Sequence, residues 1–284
     1  MRSVHPERSR AALWVAAHAA CFWPVWRWYW ERLHDGGDEP WAIAALLAAI
    51  VLSWPRDGFE FRPRQRLVAI GALLTMVYAA IAPFAPPLVR AVVALAALGC
   101  TWISVSGARD KAPAILGLFA LAVPLIASLQ FYAGYPMRLA TASGATALLN
   151  LFGERVARAG TNMVSGAHVV LVDAPCSGVR MLWAASLLCC VLVTLRERVS
   201  WRAMTIALSC VPPVVLAANI VRATLLFIAQ TGQREPPAWV HSAIGIAVFT
   251  LIGVSLLASE KLQERWAGRR HARRAPLQPG QVPA

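Results

Sequence analysis

The sequence has few charged side chains. They make up 14% of its 284 residues, and acidic residues are the rarer kind, with 14 Asp and Glu against 27 Lys and Arg. Soluble domains carry about 25% charged residues, so the composition excludes an ordinary soluble fold. Instead, 58% of the residues are hydrophobic, and long apolar runs recur along almost the whole chain. We therefore expect an all-α polytopic membrane protein.

Several signals of other protein classes are also missing. No small-residue cleavage site follows the first apolar run, so we expect a retained helix there instead of a signal peptide. The adjacent Cys189 and Cys190 lack the two-residue spacer of a redox motif. No cluster of residues has metal-ligand spacing. We expect neither a metal site nor another cofactor.

The apolar runs predict about eight transmembrane helices, of which the second is short. The predicted spans are residues 11–30, 41–54, 67–83, 88–105, 113–130, 175–195, 203–230 and 239–259. They divide the chain into an N-terminal part (1–112, spans one to four), a catalytic core (113–260, spans five to eight) and a basic tail (261–284). We expect the tail to be cytoplasmic and disordered.

Basic residues alternate between successive loops, which predicts the orientation of the chain. Arg and Lys concentrate before span one, after spans two, four and six, and in the tail. The positive-inside rule therefore places both termini in the cytoplasm of a bacterial cell with the chain in its inner membrane. The basic residues in these loops account for the net charge of +13, and membrane lipids are an expected partner. We expect no nucleic-acid partner.

This orientation makes residues 131–174, between spans five and six, a partly structured extracytoplasmic loop. Residues 143–157 are amphipathic enough to lie on the membrane surface or to re-enter it. Residues 164–172 are rich in β-branched side chains, which predicts a strand or hairpin. Such a strand would either pair with an extended substrate or form a structural lid, and the sequence leaves both open.

The outer ends of spans six to eight carry Cys176, Arg222 and His241 at similar depth. With span six starting at residue 175, Cys176 is predicted in its first turn, where the helix dipole favours an anion. Arg180 lies one turn further on. Cations and helix N-termini lower the pKa of a thiol, and His is the usual base for a thiol nucleophile. The pattern indicates thiol catalysis, whereas the other five cysteines lie inside spans and are predicted to pack as small hydrophobes.

Arg222 lies within a span, where an Arg costs several kcal/mol unless it faces the bundle interior or a polar cavity. Asn219, three residues earlier, lies on the same helical face. A transporter or channel with a polar path around Arg222 and Asn219 is the alternative function, and a non-catalytic scaffold is another. The polar residues gather near one membrane face, which favours a surface-facing site.

The ordered motifs "CSGVR" (176–180), "NIVR" (219–222) and "HSAIG" (241–245), with "LQFYAGYPMR" (129–138) upstream, resemble the exosortase/archaeosortase family. The resemblance covers roughly residues 115–260. It implies a membrane cysteine protease or transpeptidase that processes proteins with a C-terminal sorting signal: a short motif such as Pro-Glu-Pro, one membrane helix and a basic cluster. Transfer to a surface acceptor, such as a glycolipid or polysaccharide, is expected to follow.

By this resemblance Cys176 is the nucleophile, Arg222 its cationic partner and His241 the proton-transfer residue. Two further sets of residues are predicted around them. The supporting residues are Ser177, Gly178, Arg180 and Asn219, and the candidate substrate-binding residues are Tyr135, Arg138 and His168.

Overall fold

The computed structural model describes residues 6–34, 41–55, 65–231 and 237–274, which form mostly helices. In chain order the helices are α1 (Pro6–Cys21), α2 (Trp23–His34), α3 (Trp41–Leu52), α4 (Gln65–Ile81), α5 (Pro87–Ser106), α6 (Ala112–Leu121), α7 (Ile126–Leu151), α8 (Val179–Thr194), α9 (Trp201–Gln230) and α10 (Ala238–Arg274). Three strands lie between α7 and α8, namely β1 (Ala157–Ala159), β2 (Asn162–Ser165) and β3 (His168–Leu171).

Three helical segments among the described residues are long and apolar enough to cross a membrane: Pro87–Ser106, Trp201–Gln230 and Trp239–Ser259. They coincide with predicted spans four, seven and eight. Helices α3, α4 and α8 are apolar but shorter, at 10–17 residues. The bent pair α6–α7 is a fourth candidate span. This pattern fits a helical membrane protein, and the number of eight spans stays a prediction.

The predicted fifth span, residues 113–130, is wrong as a single helix. Helix α6 ends at Leu121, and the chain turns by 88° before it continues as α7. Pro124 lies in the break, where it removes a backbone donor and disfavours helical geometry at the residue before it. Helix α7 extends to Leu151, so residues 131–151 of the predicted outer loop (131–174) are helical.

The predicted first span is also interrupted. Helix α1 ends at Cys21 and α2 begins at Trp23, with Phe22 between them. Pro24 stands in the first turn of α2, where a missing N–H is tolerated. The Phe22 side chain is fully buried and packs edge-on against Tyr78 of α4, with ring centroids 4.8 Å apart.

The three strands form an antiparallel sheet in the order β1–β2–β3. Within the run 164–172 the chain forms the end of β2, a tight turn and β3, with Val164 paired to Val169. A small apolar cluster holds the sheet against α7 and α9; it contains Met163 of β2, Leu149 of α7 and Phe227 of α9. Cys176 packs at the edge of this cluster.

Helix α9 occupies the centre of the site region because it contacts α7, α8 and α10. One large buried cluster contains residues from every helix from α2 to α10, with Ile126 as the contribution of α7. It therefore crosses residue 112, and the division into an N-terminal part and a catalytic core stays a prediction. The prediction of a disordered tail from residue 261 differs from the structure, since α10 continues to Arg274; residues 275–284 lie outside the described residues.

Candidate active site

Cys176 lies in a turn before α8, not in the first turn of that helix as predicted. Helix α8 begins at Val179, and Gly178 precedes it in the left-handed conformation with φ 83°. The Cys176 backbone N–H donates to both the carbonyl oxygen and Oδ1 of Asp173, at 3.1 Å each. The thiol is therefore positioned by a turn closed by Asp173 instead of by a helix terminus.

Gly178 allows this turn to lie close to α9. A Cβ atom at this position would be 3.0 Å from Asn219 Nδ2 and 3.1 Å from its Cγ, and the positive φ would strain any L side chain. The neighbouring Ser177 is buried, and its hydroxyl donates to Gln130 Oε1 of α7 at 2.9 Å. Two of the supporting residues, Ser177 and Gly178, therefore allow the turn to pack closely against α7 and α9.

Asn219 ties three elements together at the site. It is 1% exposed, and its Nδ2 group donates to the Cys176 carbonyl oxygen and to Thr141 Oγ1 of α7, at 2.9 Å each. Loss of this buried amide would leave its acceptors without a partner, which costs free energy. Asn219 therefore holds the nucleophile turn against α9 and α7.

Arg222 and His241 contact each other across α9 and α10, with Arg222 Nη2 3.0 Å from His241 Nε2. Because a guanidinium only donates, His241 Nε2 is the acceptor of this hydrogen bond. The Arg222 guanidinium also lies near the Cys176 thiol, where its charge favours the thiolate. The structure therefore brings the three residues together in the order Cys176, Arg222, His241, with the cation in the middle. The Arg222 Nε atom is buried and has no hydrogen-bond partner among the described residues.

The structure raises the pKa of the Cys176 thiol, whereas the sequence led us to expect a lowered pKa. Burial raises the pKa of this thiol to about 11, and hydrogen bonding with Asp173 and the charge of that carboxylate act in the same direction. The Arg222 guanidinium opposes them and lowers the pKa. The expectation failed because it counted the cations and the helix terminus but not the neighbouring carboxylate or the desolvation. In this state the thiol is protonated at neutral pH.

This balance predicts the effect of Asp173→Asn on alkylation. The substitution removes an anion that disfavours the thiolate, so the pKa of Cys176 falls and more thiolate is present at pH 8. We expect modification by iodoacetamide to become several-fold to about tenfold faster, since one pKa unit changes the thiolate fraction tenfold. The measurement is the alkylation rate at Cys176 from peptide mass spectrometry between pH 7 and pH 10.

Cys176→Ala supplies the background from the other thiols, and Arg222→Gln should shift the profile the opposite way. An unchanged profile in Asp173→Asn would mean that the carboxylate does not act on the thiol.

The remaining predicted residues lie around this centre. Arg138 and Arg180 line a cleft beside the Cys176 turn, and Arg138 lies over the Tyr135 ring, with 5.8 Å between its Cζ atom and the ring centroid. His168 begins β3 and is exposed; no hydrogen bond between described residues joins it to Cys176. Arg180 is not among the groups that shift the Cys176 pKa.

Three residues at the site were missed from the sequence: Asp173, Gln130 and Thr141. Asp173 had a local signal, because an Asp three residues before a backbone N–H that needs a partner is typical of side-chain-capped turns. Gln130 lies in the upstream motif 129–138 but had no signal that linked it to Cys176, and Thr141 had no signal at all, since both lie on α7, whose course depends on the 88° bend.

Comparison with known proteins agrees with the geometry. The family model described as transmembrane exosortase matches residues 15–258. This match includes the N-terminal helices, beyond the residues that carry the motifs. Neither curated proteins nor solved structures gave a significant match. Since the family match spans most of the chain, and the apolar helices agree with it, the protein is an integral membrane protein that belongs to the transmembrane exosortase family.

Proposed function

We propose that the chain is a cysteine transpeptidase that cleaves C-terminal sorting signals on the extracytoplasmic side of the bacterial inner membrane. Family membership supports a membrane sorting transpeptidase in general over the transporter, channel or scaffold. The observation that carries the specific proposal is the contact series from Cys176 through Arg222 to His241. These groups come from three different elements and meet at one point.

The first chemical step would be attack of the Cys176 sulfur on the scissile carbonyl carbon. Because burial and Asp173 keep the thiol protonated, a base must take its proton as the carbonyl approaches. His241 has that role in the proposal, and its Nε2 atom becomes available when Arg222 releases it. Arg222 then turns its Nη2 donor to the oxyanion of the tetrahedral intermediate. The buried Nε of Arg222, without a partner among the described residues, is a second donor for this charge.

Collapse of the intermediate would break the C–N bond and leave a thioester on Cys176. The protonated His241 gives its proton to the leaving amine, which departs with the membrane helix of the sorting signal. An acceptor hydroxyl or amine then loses a proton to His241 and attacks the thioester. The products are the transferred protein and the regenerated thiol, and a glycolipid or polysaccharide is the proposed acceptor.

The sheet gives a way to align the substrate. β3 is an edge strand, and only a short segment separates Leu171 from Cys176. Edge strands have unpaired backbone groups that bind extended peptides. This placement favours pairing of the substrate with β3 over a purely structural lid.

The proposal is tested by the size of a tagged reporter that ends in a short motif, one apolar helix and a basic cluster. The reporter is expressed with and without the chain, and membranes are analysed by immunoblot. A shortened reporter is expected only in cells with the chain. A reporter that keeps its full length with every sorting-type C-terminus encoded in the source genome would contradict the proposal.

We also predict the topology. A reporter fused after Arg198 should behave as cytoplasmic, and one inserted near Gly160 as extracytoplasmic, because basic loops remain inside. The structure supports one part of this prediction: the Val199 N–H donates to the Asp110 carbonyl at 2.6 Å, which joins two loops that are both predicted to be cytoplasmic. Alkaline phosphatase and fluorescent-protein fusions measure the two sides. The reverse pattern would place Cys176 in the cytoplasm and remove the proposed site.

A further inference from the structure

The nucleophile turn, residues 173–178, is held on both sides of Cys176 by one side chain of α7. Gln130 Nε2 donates to the Ala174 carbonyl oxygen at 3.2 Å, and Gln130 Oε1 accepts from the Ser177 hydroxyl at 2.9 Å. These two contacts enclose Pro175 and Cys176 in the chain. The proposed chemistry assigns no role to the Gln130 amide.

The orientation of the Gln130 amide is set by the groups that it contacts. A carbonyl oxygen only accepts hydrogen bonds, so the amide nitrogen must face Ala174 and the amide oxygen must face Ser177. Ser177 is 1% exposed, and its hydroxyl oxygen also accepts from the backbone N–H of Val179, the first residue of α8, at 3.3 Å. Gln130 is thereby joined to the nucleophile turn and, through one buried hydroxyl, to the start of α8.

Gly134, one turn further along α7, leaves the space that the Gln130 amide occupies. Gly134 is buried inside the helix, and its φ is not in the left-handed region, so the backbone does not require glycine there. A helix interior disfavours glycine relative to alanine. A Cβ atom at this position would be 2.8 Å from Gln130 Nε2 and 3.1 Å from Gln130 Cδ. The glycine is therefore explained by the room that it gives to this amide.

We infer that Gln130, in the space left by Gly134, is a positioning residue for Cys176. It holds the nucleophile turn so that the sulfur lies near Arg222 and faces the scissile carbonyl, and it does not itself contact the substrate. This inference rests on the proposed function, because it concerns the rate of the reaction that Cys176 performs. Asn219 acts on the same turn from α9, through the Cys176 carbonyl oxygen. Displacing a reacting group by about 1 Å costs on the order of 100-fold in rate.

The experiment measures shortening of the sorting-signal reporter by the full-length chain in isolated membranes, over a range of reporter levels and at equal levels of each variant. Gln130→Ala removes both hydrogen bonds, and Gln130→Met removes them while keeping a side chain of similar length. Gly134→Ala adds the methyl group that displaces the Gln130 amide, and a double variant combines Gln130→Ala with Gly134→Ala. Gly253→Ala in α10 is the matched control, since a Cβ atom there meets no atom nearer than Leu188 Cδ2, at 3.6 Å.

Gln130→Ala, Gln130→Met and Gly134→Ala should each lower the maximal rate on the order of 10- to 100-fold. The reporter level that gives half of the maximal rate should stay nearly unchanged, because the turn loses contacts and the substrate does not. The double variant should be no slower than Gln130→Ala alone, since Gly134→Ala acts only through the amide that is already absent. Gly253→Ala should process the reporter at the wild-type rate.

Three results would overturn the inference. A wild-type rate in Gln130→Met would show that the side chain only fills space. Losses that multiply in the double variant would show that Gly134 does not make room for the amide. A raised half-saturating reporter level at an unchanged maximal rate would show that Gln130 binds the substrate. Cys176→Ala in the same assay separates the two proposals: if it is inactive while the Gln130 variants process as wild type, only the positioning role is wrong, and if it is active, the proposed function is wrong.

Discussion

Cys176→Ala should abolish shortening of the reporter while the protein stays in the membrane at its normal level. The substitution removes the sulfur that forms the thioester, and loss of a nucleophile in a hydrolase with a comparable catalytic triad costs on the order of a million-fold. The remaining rate would be too slow to detect on an immunoblot. Cys176 is partly buried at the edge of a small cluster, so its replacement by Ala changes little of the packing.

The matched controls are Cys189→Ala and Cys190→Ala. Both side chains are buried within α8, at 2% and 1% exposure, and pack in the large apolar cluster. These variants should process the reporter at nearly the wild-type rate if they accumulate normally. Wild-type processing by Cys176→Ala would exclude the thiol mechanism.

Arg222→Ala should reduce processing by about 100- to 1000-fold, the usual cost of removing one oxyanion donor. Arg222 lies between the thiol and His241, so its loss removes the charge that favours both the thiolate and the oxyanion. Rates are measured from the appearance of shortened reporter over time in isolated membranes. A rate within a few-fold of wild type would show that Arg222 is structural.

Arg222→Lys distinguishes the contribution of the positive charge at this position from that of the planar guanidinium shape. An ammonium keeps the charge but lacks the planar fork that contacts two groups at once, so rescue should be partial. Arg202→Lys on the first turn of α9 is a control for the same exchange elsewhere on that helix, since Arg202 is exposed. Full activity in Arg222→Lys would mean that only the charge matters.

The long apolar helices could be predicted from the sequence to within a few residues, as α5, α9 and the apolar part of α10 show. The positions of the helix breaks could not be predicted from the sequence. Pro124 lies in a sharp bend, yet Pro136 lies inside α7 and the pair Pro212–Pro213 inside α9. Whether a proline breaks a helix depends on whether neighbouring helices and side chains satisfy the freed backbone groups. These neighbours are set by the tertiary structure, which a local sequence pattern does not show.

That Cys176, Arg222 and His241 lie close together was predictable from the sequence, but not how they contact one another. Topology alone placed Cys176, Arg222 and His241 at the same membrane face. The bond from Asn219 to the Cys176 carbonyl joins residues 43 positions apart, which no local pattern shows. The direction of the thiol pKa depends on burial and on Asp173, and both follow from the turn that Gly178 permits.

The most direct test of the central claim is detection of the acyl-enzyme. Membranes with the chain and the reporter are quenched in acid, and the peptide containing Cys176 is analysed by mass spectrometry, with and without hydroxylamine, which cleaves thioesters. The account predicts that the N-terminal fragment of the cleaved reporter is attached to Cys176 through its new C-terminal carbonyl, that hydroxylamine releases it, and that Arg222→Ala reduces its amount. A shortened reporter that forms at the wild-type rate with no adduct on Cys176, or with the adduct on another residue, would contradict it.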